Sequence, residues 1–225
     1  MNEPLIAALD REPVADFVAR LRRFNPYALV RLRPRTAELS GAIWATLPFQ
    51  VAVCRRLRVP PTDDVTVSAS DLLSDEVPQR KDAAWRWPLP TSDGQVIETI
   101  PAADVIKLAE AAARTLREAS TQGVGGRAVG ERVLRDALLD HVAICVTTDS
   151  GERVEVPQRL VQAIVRMGLL PAGPTGDLPD VDTGPVDMLA DGDQAVTVRL
   201  AMGWIGVSGL HGCAWYRPIS PLRLA

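Results

Sequence analysis

The residues best equipped for chemistry are the two histidines and two of the three cysteines, which fall in short pairs: His141 with Cys145, and His211 with Cys213. Imidazole nitrogens and thiolates are the ligands tetrahedral zinc prefers, so these four could hold an ion and make the chain a zinc-dependent enzyme. On one strand His211 and Cys213 would share a face about 6.6 Å apart, whereas four strand steps separate His141 from Cys145 by about 13 Å, too far for one ion. Only a helix end at His141 closes that gap. The plainer assignment is Cys145 buried between Ile144 and Val146 and a loop histidine at 211, with no metal and no cofactor implied. Other chemistries are no better supplied. No Gly-x-Ser-x-Gly elbow occurs, and Gly123-Val124-Gly125-Gly126 lies between helical segments without the Lys-Ser/Thr of a phosphate loop. Asp180-Val181-Asp182-Thr183-Gly184 resembles part of a calcium loop but lacks its bidentate glutamate. The chain reads as non-catalytic.

Side chains suited to contact are easier to find. Five tryptophans exceed three phenylalanines and two tyrosines. Trp85 and Trp87 alternate, so a strand at 84–89 would point both indoles to one face and Arg86 to the other. Buried core is the ordinary fate of such rings, and an aromatic platform for a partner is the functional one. Arg31 and Arg33 likewise share a face of a strand at 27–33, with Leu32 opposite.

The elements that position these residues follow from periodicity. Residues 11–24 space Val14, Phe17, Val18 and Leu21 helically, and Asn25-Pro26 ends that helix. Further helices are expected at 103–119, 128–140 and 158–167, the last closed by Gly168. Strands are expected at 42–47, 50–57, 65–67, 84–89, 95–100, 195–200, 204–207 and 213–217. Three segments suggest one plan of hairpin followed by helix: 49–73, 84–119 and 141–168. Turn residues Pro60-Pro61-Thr62-Asp63-Asp64, Ser92-Asp93-Gly94 and Asp149-Ser150-Gly151 divide them. The expected fold is α+β, one domain over 1–225, with a mostly antiparallel sheet built from these repeated units and about four helices packed on it. Residues 171–193, with six Asp and no base, read as an acidic Pro/Gly/Asp loop.

Composition bounds the rest. The basic residues are 23 Arg and two Lys, and with abundant Ala, Val, Leu, Pro and Gly this reads as the codon usage of a G+C-rich bacterial genome. Net charge is −3, yet residues 1–60 carry ten Arg against five acids. No apolar run is long enough to span a membrane, and the N-terminus lacks a secretory pattern. Three widely spaced cysteines argue against a disulfide framework and for a reducing compartment, so a cytoplasmic location is expected. The favoured function is a protein-interaction or self-associating module, its partner being another protein or a second copy. The helix, helix, hairpin order over 103–156 resembles winged-helix domains, and that resemblance implies nucleic-acid binding through Arg127, Arg132 and Arg135. The pI near 5.5 lacks the basic footprint such binding uses.

Overall fold

In the computed structural model, which describes residues 11–74, 77–122, 130–171 and 195–218, ten strands and four helices follow the order α1 (Arg11–Phe24), β1 (Leu29–Arg33), β2 (Ala42–Leu47), β3 (Val51–Arg56), β4 (Val65–Ser68), β5 (Gln95–Pro101), α2 (Ala102–Gln122), α3 (Glu131–Asp140), β6 (Val142–Thr147), β7 (Arg153–Pro157), α4 (Gln158–Arg166), β8 (Ala195–Ala201), β9 (Trp204–Ser208) and β10 (Gly212–Tyr216). Eight strands form one antiparallel sheet in the order β4-β1-β2-β3-β10-β9-β8-β5, and among the described residues β6 pairs only with β7. The α+β expectation holds. The Gly-rich stretch at 123–126 and the acidic stretch at 172–193 lie outside the described residues.

The repeated hairpin–helix plan fails in two of its three segments. β3 does not pair with β4; it pairs with β2 and β10, while β4 lies beyond β1. The nearest fold-back wins: β2 and β3 are joined through Pro48-Phe49-Gln50, where Gln50 takes a left-handed φ of 64°. Residues 69–73 hold only a short 3-10 turn where a helix was expected. The second segment lacks its first strand, because Pro88 and Pro90 cannot donate to a ladder; residues 85–94 cross the sheet as an irregular strap. In the third segment β6 and β7 do pair, and α4 follows directly.

A different internal correspondence organises the sheet. α1 leads into the meander β1-β2-β3 with β4 outside it, and α4 leads into the meander β8-β9-β10 with β5 outside it. The two halves meet at the antiparallel pair β3–β10. Their helices match too: Val14, Phe17, Val18 and Leu21 occupy the same i, i+3, i+4, i+7 positions as Leu160, Ala163, Ile164 and Met167, and all eight are fully buried.

Each sheet face has its own apolar layer, as strand alternation requires. Under the helices lie Val30, Leu32, Ile43, Ala45, Val51, Val53, Val198, Val207 and Ala214, in one cluster spanning both halves. On the opposite face Trp44, Trp204 and Trp215 surround Cys54 and Cys213, with Trp85 and Leu89 packed on from the strap. Cys54 and Cys213 stand directly opposite in the β3–β10 register and form a disulfide across a Cα–Cα distance of 5.2 Å. This overturns the expectation of unpaired cysteines, and with it the step from cysteine count to a reducing compartment. An odd count hid the bond, because 159 residues separate the partners and Cys145 is left over, exposed. No helix among the described residues is long and apolar enough to cross a membrane.

Candidate functional site

The strap decides what becomes of the sequence-derived contact residues. Arg33 Nη1 donates to Pro90 O at 3.1 Å, and Arg199 Nη1 donates to Asp93 O at 2.8 Å and Gly94 O at 3.1 Å. Asp93 N also donates to Glu38 O at 3.0 Å. Arg33 is therefore a fastener, and burial pulls its pKa down from the ordinary guanidinium value. Arg31 lies beside it on the same face but is engaged bidentately by Asp64, at 2.6 and 2.9 Å. That hydrogen bond raises its pKa. Residues 84–89 form no strand, so the pleat that was expected to put Trp85 and Trp87 on one face is absent. Trp85 packs on the disulfide layer and donates Nε1–H to Trp87 O at 2.6 Å, while Trp87 is 44% exposed.

The metal candidates are dispersed. His141 is exposed and its Nδ1 lies 2.7 Å from Val142 O; Cys145 is exposed; Cys213 is spent in the disulfide. Half-buried His211 has its pKa lowered by burial first, then by Arg55 and Arg56. Among the described residues no group of three or more His, Cys, Asp or Glu is placed to hold an ion. The helix, helix, hairpin order is present as α2, α3, β6–β7, but Arg132 pairs with Asp136 and Arg153 with Glu155, so these cations are matched locally. Arg127 lies outside the described residues.

The outer strands of the large sheet differ. Thr66 on β4 has its outward groups satisfied: its N–H donates to Asp82 Oδ1 at 2.7 Å and its carbonyl accepts from Lys81 N at 2.7 Å. That bond to Thr66, followed by the one from Arg80, lowers the Asp82 pKa. β5 is exposed along most of its length, and Thr99 N is capped by Glu98 Oε1 at 2.8 Å. A bulge between Val96 and Glu98 and a terminal Pro101 further blunt this edge.

A concavity lies elsewhere among the described residues. A groove of about 540 Å³ runs between β7 and the β8–β9 turn, inside the usual range for binding sites. Its floor is apolar and aromatic, from Val142, Val154, Trp204, Ile205 and Tyr216; its rim carries Asp140, Glu152 and Glu155 against a single Arg153. The turn that forms one wall is tight, with Met202 and Gly203 both at positive φ, 32° and 81°, as a two-residue hairpin needs. Met202 at its tip is 89% exposed.

Beneath the groove sits a residue that periodicity alone could not single out. Arg159, in the first turn of α4, looks like an ordinary surface charge but is 9% exposed. Nη1 donates to Phe49 O at 2.8 Å, Nη2 contacts Asp140 Oδ1, and the guanidinium stacks 4.6 Å from the Tyr216 ring centroid. It thus fixes two groove residues, Asp140 and Tyr216, from below, while its own Nε is buried without a partner among the described residues.

Comparison with known proteins adds the following. No curated protein matches the chain. Among solved structures, the DNA polymerase III β subunit of Thermotoga maritima superposes at a TM-score of 0.46 with 8% identity, over 94% of this chain and 63% of that one. The β subunit from Pseudomonas aeruginosa gives 0.43 and 10%, again over 94% and 63%. The chain therefore spans somewhat under two thirds of the length of either. The family model for the domain of unknown function DUF8010 matches residues 4–92, which contain the half-sheet β4-β1-β2-β3. The model for the domain of unknown function DUF8185 matches residues 89–221, which hold the groove and more than half of the chain, and the chain belongs to that family.

Proposed function

We propose that the chain is a non-catalytic protein-interaction module that docks a partner in the groove between β7 and the β8–β9 turn. The observation that carries this reading is the groove's make-up: an apolar, aromatic floor inside a mostly acidic rim, the layout of a recognition surface. Arg159 supports it, because fixing Tyr216 and Asp140 from below lowers the ordering cost of binding. In this reading the 225 residues act as one domain, since one apolar cluster runs through both halves of the sheet. The blunted edge at β5 favours a partner at the groove over sheet-to-sheet self-association.

The test is photo-crosslinking in the native cell, with a benzophenone amino acid replacing either Met202 at the groove or Tyr27, which is 86% exposed elsewhere. The expected result is one discrete protein adduct from position 202, identified by mass spectrometry, and none from position 27. Identical adducts from both positions, or none from 202, would end the proposal. Light scattering on the purified chain shows whether the partner is a second copy.

A further inference from the structure

The groove has one wall made of backbone. Glu152, Arg153, Val154, Glu155 and Pro157 all line it, although a strand face exposes only alternate residues. Consecutive residues can share a cavity only along the strand's edge, so the edge of β7 faces the groove. Among the described residues β7 has a single ladder partner, β6.

Which backbone groups point outward follows from the ladder. Thr148 N donates to Glu152 O at 2.9 Å and Gln158 N donates to His141 O at 2.7 Å, so the even-numbered residues turn toward β6. Val154 and Val156, paired with Val146 and Ile144, keep that phase. In an antiparallel pair the intervening residues turn both backbone groups away. The N–H and C=O of Arg153 and Glu155 therefore face the groove, and Pro157, with no N–H, ends the series.

From this we infer that the partner's docking segment is an extended peptide that adds to β7 as a third strand and carries a basic side chain opposite Glu152. The inference rests on the docking reading above and specifies its ligand. Strand addition supplies main-chain affinity, while side chains at alternate positions supply specificity. The apolar floor takes the β-branched or aromatic residues of the segment. Charge selects the others: Arg153 holds Glu155 at 3.2 Å and Arg159 holds Asp140, so Glu152 is the rim carboxylate without an ionic partner among the described residues.

The experiment uses the full chain, isotope-labelled for NMR, and four acetylated heptapeptides: valine alternating with arginine, valine alternating with glutamate, and two forms of the arginine peptide N-methylated on alternate amides, one in each phase. The arginine peptide is expected to slow amide exchange at Arg153 and Glu155 at least tenfold, with no change at Val154 and Val156. The glutamate peptide binds at least tenfold more weakly, and Glu152→Gln removes most of that difference. N-methylation abolishes binding. If the N-methylated peptides bind equally well and shift groove resonances, strand addition is wrong and the docking site stands. If no probe shifts any groove resonance, both ideas fall. Equal affinity for the two charge types overturns the role of Glu152 alone.

Discussion

Reducing the Cys54–Cys213 bond is the most direct perturbation of how the two half-sheets are joined. The bond closes a loop of 159 residues at the β3–β10 pair. The loop-closure relation for cross-links assigns a ring of that size about 5 kcal/mol, all of it from restriction of the unfolded chain. That is comparable to the whole net stability of many domains, roughly 5–15 kcal/mol. Both cysteines are nearly fully buried beside Trp44 and Trp215, and Trp215 Nε1 donates to Cys213 Sγ at 3.1 Å, so the thiols remain packed after reduction. The loss is therefore expected in the unfolded ensemble. Urea unfolding followed by tryptophan emission measures it, with and without reductant. At a slope of roughly 2.5 kcal/mol per molar, the midpoint falls by about 2 M, and the slope itself rises because the freed chain exposes more surface. Thiol titration in denaturant supplies the control: one of the three cysteines reacts before reduction and all three after it. Three reactive thiols before reduction, or an unchanged midpoint after complete reduction, would refute the reasoning.

Four further outcomes are expected. Because burial and the neighbouring Arg55 and Arg56 hold the His211 pKa below the ordinary 6.5, the unfolded chain takes up that proton first as pH falls. Stability present above pH 6.5 is then lost on acidification through the window below it, read as a falling Tm between pH 7.5 and 5 that His211→Gln flattens. Arg159→Met removes the hydrogen bond to Phe49 O and frees Asp140, at a cost of about 2 kcal/mol in urea unfolding; a loss under half of that would mean the guanidinium is not anchored as described. Gly206→Val destabilises strongly, since even a Cβ there would stand 2.5 Å from the Trp215 ring; overpacking of this kind costs about 1–3 kcal/mol, and a neutral variant contradicts the packing. Trp87→Ala changes stability by less than about 0.5 kcal/mol, because the ring is largely exposed, and a larger loss would show that it belongs to the core.

The periodic elements were legible in sequence because their signals are local. Helix 11–24 and strands 42–47 and 195–201 lie close to where spacing of apolar residues put them. Pairing was not legible: a pleat says which side chains share a face and nothing about which strand lies alongside. Residues 84–89 alternate like a strand, yet Pro88 and Pro90 remove ladder donors, and Arg33 and Arg199 hold the segment as a strap. The groove escaped notice for the same reason, being built from residues near 140, 155, 200 and 216 that are adjacent only after folding.

Chain-local chemistry thus settled the α+β composition, the amphipathic faces and the tight turns at glycine. Tertiary structure decided the order of strands, the Cys54–Cys213 bond, the burial of Arg159 and the pairing of β7 with β6 only, among the described residues. The division has one physical cause. Backbone propensity and side-chain period act over a few residues, whereas pairing partners, cross-links and cavities depend on which distant surfaces are pressed together when apolar area leaves water.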